Sequence, residues 1–175
     1  YNKRFCVSAG IGYDAAVCHE ALNSKLKVIL NKIKLGKLSY LIIALKQLAN
    51  TKKHGCTLIL DEARQIRFNR FYFITTMVHR YEGGGFMFCP KAKCDDGIID
   101  VCVAGDISKL RVLTIIPKAF KGNHVKCKGI ETYTARKVEI YSDAKLPIHA
   151  DGEYAGVDDQ LVVTQCDKKI RVIVR

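Results

Sequence analysis

Nothing in this sequence is apolar for long enough to cross a bilayer as a helix. The longest apolar runs, such as Tyr40 to Leu45, are about a third of the ~18 residues a spanning helix needs. A starting Met and a charged-then-apolar signal segment are also missing. Tyr1-Asn2-Lys3-Arg4 leads almost directly into a strand-like run. The expectation is a domain cut from a longer chain, one whose full activity needs a part not contained here. Paired cysteines are absent as well: the eight are scattered at 6, 18, 56, 89, 94, 102, 127 and 166, with no Cys-x-x-Cys. That scatter argues against a zinc site and against a disulfide framework. With Cys56 and Cys102 inside apolar runs, a reduced intracellular protein with buried thiols is expected.

Acid is missing from two stretches. Between Glu20 and Asp61 there is none, while Lys25, Lys27, Lys32, Lys34, Lys37, Lys46, Lys52 and Lys53 accumulate. Between Asp106 and Glu131 there is again none, against Lys109, Arg111, Lys118, Lys121, Lys126 and Lys128. The whole chain carries 29 basic and 17 acidic residues, a net +12. Such a surface attracts nucleotide phosphates, nucleic acid or an acidic membrane, unless it is simply a solvated face that keeps the protein soluble. Lys outnumbers Arg, and aromatics are not interleaved with the basic residues. Nucleic acid is therefore not expected as a partner; a diffusely attracted anionic membrane surface is.

What is present is ordinary globular composition, 175 residues with 49% hydrophobic and 26% charged, enough for one domain with a core. Phe5 to Gly12 reads as a buried strand closed by glycines, and Asp14 as the cap of a helix through about Ala21. Lys32 to Gly36 is a basic connection. Leu38, Leu41, Ile42, Leu45 and Leu48 recur at helical spacing, predicting an amphipathic helix over Leu38 to Ala49. From Cys56 the period switches to two. Thr57 to Asp61 and Gln65 to Val78 predict a hairpin, and Ile98 to Ala104 another strand. Ser108 to Phe120 predicts a helix that Pro117 should kink or shorten. Strands follow at Gly129 to Thr134, Lys137 to Tyr141, Gln160 to Gln165 and Lys169 to Val174, with a turn at Asp151-Gly152. The expected fold is β-rich: one domain over 1–175, mainly an antiparallel β-sandwich, with a pair of helices inserted over about 14–50.

Three glycine-marked spots could carry chemistry. In Gly10-Ile11-Gly12-Tyr13-Asp14-Ala15 the acid either caps free amides or faces a ligand hydroxyl. Gly83-Gly84-Gly85 needs a steric or amide-donor reason, yet the segment lacks the Lys-Ser/Thr of a Walker loop. Downstream, Asp96 with nearby carbonyls suits a hard cation, or else is an ordinary Asp-Gly turn. His149-Ala150-Asp151-Gly152-Glu153 offers a general base or a metal-phosphate contact, or a plain hairpin tip.

The order of these motifs is more specific than any one of them. Gly-Tyr-Asp-Ala, then Gly-Gly-Gly…Pro-x-Ala…Asp-Gly-Ile-Ile-Asp, then His-Ala-Asp-Gly-Glu resembles the diacylglycerol kinase/sphingosine kinase family of lipid kinases, most closely its bacterial diacylglycerol-kinase-like branch. The similarity runs from about Phe5 to Val174 and covers the family's C-terminal domain. It implies the C-terminal half of a two-domain kinase whose N-terminal domain, bearing a Gly-Gly-Asp-Gly-Thr type nucleotide loop, is not in this chain. It implies ATP in the interdomain cleft, contacted here by Asp151, Gly152 and Glu153, with Glu153 as proton acceptor. It implies Mg2+ at Asp96 and the flanking backbone of Lys93 and Ile98, and a lipid-hydroxyl contact at Asp14.

The expected function is phosphoryl transfer from ATP to the hydroxyl of diacylglycerol or a related lipid, giving phosphatidic acid, with this piece inactive alone. The expected setting is cytoplasmic and peripheral at the inner face of the membrane, with a homodimer possible. Two alternatives stand beside it: a non-enzymatic basic domain that docks on a membrane or partner, and an NAD-kinase-like domain. Against the latter, a soluble nucleotide substrate would not need the greasy inserted helix.

Overall fold

A computed structural model of the chain describes residues 2–24 and 36–166, residues 36–41 by backbone alone. The order is β1 (Ser8–Gly12), α1 (Tyr13–Asn23), α2 (Gly36–Asn50), β2 (His54–Leu60), β3 (Arg64–Phe71), β4 (Phe73–Met77), β5 (Ile99–Ala104), α3 (Lys109–Ala119), β6 (Ile130–Ala135), β7 (Lys137–Ala150) and β8 (Glu153–Thr164). Of the expected basic connection Lys32 to Gly36 only Gly36 is described, as the first residue of α2; Lys25 and Lys27, the side chains of Leu38 and Leu41, and the expected strand Lys169 to Val174 lie outside the described residues.

All strands join one antiparallel sheet, ordered β3-β2-β7-β1-β4-β5-β6, with β8 on the other edge of β7. The long strand β7 makes a sandwich out of this single sheet. Its first half pairs with β2, and its second half pairs with β1. The β7–β8 register shifts between Tyr141 and Leu146, a bulge that lets β7 bend from one layer into the other. Polar residues at Ser142, Asp143 and Lys145 disguise this continuity in the sequence, which is why the predicted strands stopped short at Tyr141 and began late at Gln160. Likewise, the single strand expected over Gln65 to Val78 is two. At Tyr72, whose N–H donates to Ala104 O (2.7 Å), the chain leaves β2 and begins pairing with β1 and β5.

The strand period of two divides residues between two buried layers. Ile11, Ile74, Ile99, Val101 and Val103 meet Leu58, Ile140 and Val163 in the core between the sheet's two halves. Cys102 and Ala104, on the opposite face of β5, pack under α3 with Val112 and Ile115. Burial pushes the Cys56 and Cys102 thiols up to about 12. Among the described residues no two cysteines are joined as a disulfide. Pro117 stands in the last turn of α3, where it lacks the N–H that would bond the Leu113 carbonyl, and the helix ends two residues later.

The inserted helices are where expected, but the apolar face differs. Ile43 of α2 is buried against Val17 and Ala21 of α1, and Leu48 joins the cluster under α3. Ile42 and Leu45 instead face solvent. Among the described residues no helix is long and apolar enough to cross a membrane.

Candidate functional site

Ser8, Met77 and Asp100 stand in one row across β1, β4 and β5. Asp151 N–H donates to Ser8 O (2.8 Å), bringing the β7–β8 turn to the same end of the sheet. The turn before β5 arrives there too, so the sheet gathers the Asp96 and Glu153 segments at one end. Three strand spacings of about 4.8 Å, roughly 14 Å, separate β7 from β5.

Asp151 and Gly152 both have positive φ (52° and 78°), the geometry of a tight hairpin whose twist matches the strands. The Asp151 carboxylate accepts N–H groups from Cys6 (2.7 Å), Val7 (2.7 Å) and Ser8 (3.0 Å). It locks the segment entering β1 onto the hairpin tip. Glu153 begins β8 opposite Ala150 and is exposed to solvent. An anchored turn thus presents an exposed acid.

Beneath it lies a buried polar layer. Alternation along β7 sends Ile148 into the apolar core and His149 to the other face, under α1. His149 is fully buried. Its Nε2 lies 3.2 Å from Asp14 Oδ2 and 3.5 Å from Glu82 Oε1. Ser8 Oγ donates to Glu82, and Gly152 N–H lies 3.4 Å from His149 Nδ1. With its proton on Nε2, facing Asp14, the neutral ring leaves Nδ1 to accept the Gly152 N–H and so links Asp14 to the hairpin that carries Glu153; the charged ring keeps the Asp14 contact alone. Gly10 permits this packing, because a Cβ there would collide with both Asp14 and His149.

Burial pulls the His149 imidazolium down, but the Asp14 hydrogen bond and the charges of Asp14, Glu82 and Asp151 outweigh it and hold the ring above its ordinary range. Burial raises Glu82, which the positive ring partly offsets. Asp14 does not cap α1 by side chain: Gly12 occupies the N-cap, and Asp14 accepts its neighbour's N–H, Ala15 (2.8 Å), from the first turn. It is buried behind His149. Glu82 and Ser8 are not among the residues that the sequence motifs single out. Glu82 directly precedes the three glycines and was legible as an acid beside a flexible turn, whereas Ser8 inside an apolar strand carried no signal.

At the other corner, Asp96 Oδ1 accepts the Ile98 N–H (2.9 Å), and Gly97 has φ 73°. This Asp-Gly turn is closed by its own side chain. The Ile98 carbonyl accepts from Gln165 Nε2 (3.3 Å). Lys93 and Asp96 are exposed, and Ala92 closes a turn onto Cys89 O (3.0 Å). Asp100 is raised by burial and by the neighbouring charge of Asp96. A hard cation fits this chemistry, since it takes carboxylate and main-chain oxygens and would relieve the Asp96–Asp100 repulsion. Among the described residues no three His, Cys, Asp or Glu side chains gather as ligands, so main-chain oxygens would have to complete the set.

Fold and site together define a β-sandwich domain made from one curled sheet, with helices on one side and acidic turns at one end. The chain belongs to the YegS C-terminal NAD kinase beta sandwich-like domain family, whose sequence model matches residues 7–173. It is 28% identical over 156 residues to a diacylglycerol kinase of Mycobacterium tuberculosis, covering 88% of this chain and 47% of that protein. It is 29% identical over 149 residues to YtlR of Bacillus subtilis, covering 84% and 47% respectively. A crystal structure of a diacylglycerol kinase from Bacillus anthracis superposes with a TM-score of 0.59 at 20% identity, over 90% of this chain and 48% of that one. The chain thus spans about half the length of the curated relatives it matches.

Proposed function

We propose that this domain is the lipid-binding half of an ATP- and Mg2+-dependent lipid kinase that phosphorylates the hydroxyl of diacylglycerol or a close relative. The observation that carries the reading is Glu153, an exposed carboxylate on a turn pinned by three amide bonds to Asp151 and tied through His149 to Asp14. Phosphoryl transfer depends on positioning and charge neutralisation more than on covalent chemistry by the protein. A base on a rigid turn accepts the proton of the lipid hydroxyl as its oxygen attacks the terminal phosphate. Gly152 and Glu153 would contact the phosphate donor at the turn, with Asp151 holding its shape. Asp14, behind His149, acts through the ring as a positioning residue, which modifies the direct lipid contact that the family resemblance implies.

Mg2+, held by Asp96 with the main chain of Lys93 and Ile98, would neutralise phosphate charge. Exposed Ile42 and Leu45 of α2 offer apolar surface to an acyl chain. The whole protein would work as a peripheral protein at the inner face of the membrane, without nucleic acid, as a monomer or homodimer.

The test is Glu153→Gln in the full-length protein, assayed with ATP, Mg2+ and diacylglycerol. A positioned general base contributes about 10²–10⁴-fold, so turnover should fall at least ~100-fold while thermal stability is kept. Undiminished phosphorylation would remove Glu153 from the mechanism.

A further inference from the structure

Residues 107–130 contain no acid, and the structure shows what their cations surround. α3 buries Val112, Ile115 and Ala119 against the sheet. Its outer side exposes Leu110, Leu113 and Pro117, with Phe120 just beyond the helix end. These positions follow i, i+3, i+7, i+10 and so form one stripe along the helix. Leu110 is 78% exposed and Phe120 48%, unusual for side chains that water solvates poorly. Arg111, Lys118 and Lys121 flank the stripe on one side and Lys109 on the other, all exposed. Among the described residues none of the six cations of this stretch forms an ion pair. Arg111, Lys118, Leu110, Thr114, Ile115 and Cys127 line an open groove of about 390 Å3 beside the stripe.

The stripe continues towards the site. Phe120 stacks on Phe86 (centroids 4.4 Å apart, 28° between planes). Met87 N–H donates to Ala119 O (2.9 Å), and Glu82 N–H to Phe86 O (2.9 Å). The end of α3 therefore adjoins the segment that carries Glu82.

We infer that the outer face of α3, with the Phe86–Phe120 corner, docks on an anionic lipid surface. Leu110, Leu113, Pro117 and Phe120 enter the headgroup boundary, while Lys109, Arg111, Lys118 and Lys121 meet lipid phosphates. An apolar stripe with cations on both flanks matches the layering of an anionic leaflet, oily below and negative at its surface. A second copy fits poorly, because a symmetric contact would set this single-signed patch against itself. A nucleic acid would leave the leucines uncovered. The biological sense of this surface rests on the lipid-kinase reading, but its geometry does not.

The test is co-sedimentation of the full-length protein with vesicles of phosphatidylglycerol and phosphatidylcholine, against phosphatidylcholine alone, at low and high salt. Binding should favour the anionic vesicles and fall with salt. Each cation near the surface is worth about fivefold, so K118Q/K121Q should weaken binding roughly 25-fold. L110Q/L113Q should weaken it about 10-fold or more, with a smaller change in salt dependence. Val157→Gln, an exposed apolar position on β8, should bind as the parent does. Equal affinity for both vesicle types, parent-like binding by both double variants, or an equal loss in Val157→Gln would overturn the assignment. So would a dimer that L110Q/L113Q converts to monomer, which would make the face a self-interface. Phosphorylation of a water-soluble short-chain diacylglycerol separates the two proposals. The α3 variants should retain it; a protein that binds anionic vesicles yet never phosphorylates that substrate would sink the kinase reading and leave the docking surface standing.

Discussion

Gly10→Ala tests the buried polar layer directly. A Cβ at this position would stand 2.4 Å from Asp14 Oδ2, 2.6 Å from His149 Nε2 and 3.1 Å from His149 Cδ2. The backbone cannot retreat, because Gly10 is paired with Thr75 on one side and His149 on the other. Both contacting side chains are buried, so neither can swing into solvent. Overpacking of this kind costs about 1–3 kcal/mol. Fully separating a buried charge from its partner costs about 3–5 kcal/mol. The alanine displaces the Asp14–His149 pair without deleting it, so the expected loss is about 3 kcal/mol. At about 2–4 °C per kcal/mol for a domain of this size, Tm should fall roughly 6–12 °C. Gly83→Ala is the matched control: nothing lies within 4 Å of its would-be Cβ, and its stability should change by no more than about 0.5 kcal/mol. Differential scanning calorimetry of both variants decides the matter. A Gly10→Ala protein melting within about 1 °C of the parent would refute the close packing.

Two further outcomes follow from the same region. Asp151→Asn keeps a residue that tolerates positive φ but removes one of the oxygens serving the Cys6, Val7 and Ser8 amides; urea unfolding should show a loss of about 1–3 kcal/mol, and an unchanged midpoint would mean that these bonds do not hold the turn. His149 binds its proton more tightly when folded than its ordinary value near 6.5 allows, so its contribution is complete below that pH and is lost as pH rises through the higher folded value; Glu82, raised by burial, acts in the same direction from its own lower starting point. The urea midpoint should therefore decline from pH 6 to 8.5 in the parent and decline less in His149→Gln, whereas parallel curves would contradict a charged ring in this layer.

Much of the domain was legible in the residues themselves. Alternation in Cys56 to Leu60 specifies a strand by its period of two, and the short run Ile98 to Ala104 specifies another by its length, its β-branched Ile and Val and the Asp96-Gly97 turn before it. The Asp151-Gly152 hairpin followed from turn chemistry, and the leucine-rich helix from its spacing. Leu110, Leu113, Pro117 and Phe120 could also be counted from sequence, but Val112 and Ile115 alternate with them. Only packing shows which set is buried.

Local pattern therefore determined the cores of most strands and helices, the Asp151-Gly152 turn, and that the charge is positive and unevenly spread, but not the full run of β7 and β8 or the break at Tyr72. Tertiary structure decided which of them meet. Ser8, Asp14, Glu82 and His149 lie up to 141 residues apart in the chain, and only the bend of β7 and its pairing with β1 bring them into one buried layer. Hydrophobic periodicity reports the side of an element that faces inward, because burial acts on each residue through its own surface. It carries no information about the distant partner across the interface, which depends on sheet order and on the bulge that lets one strand serve both layers.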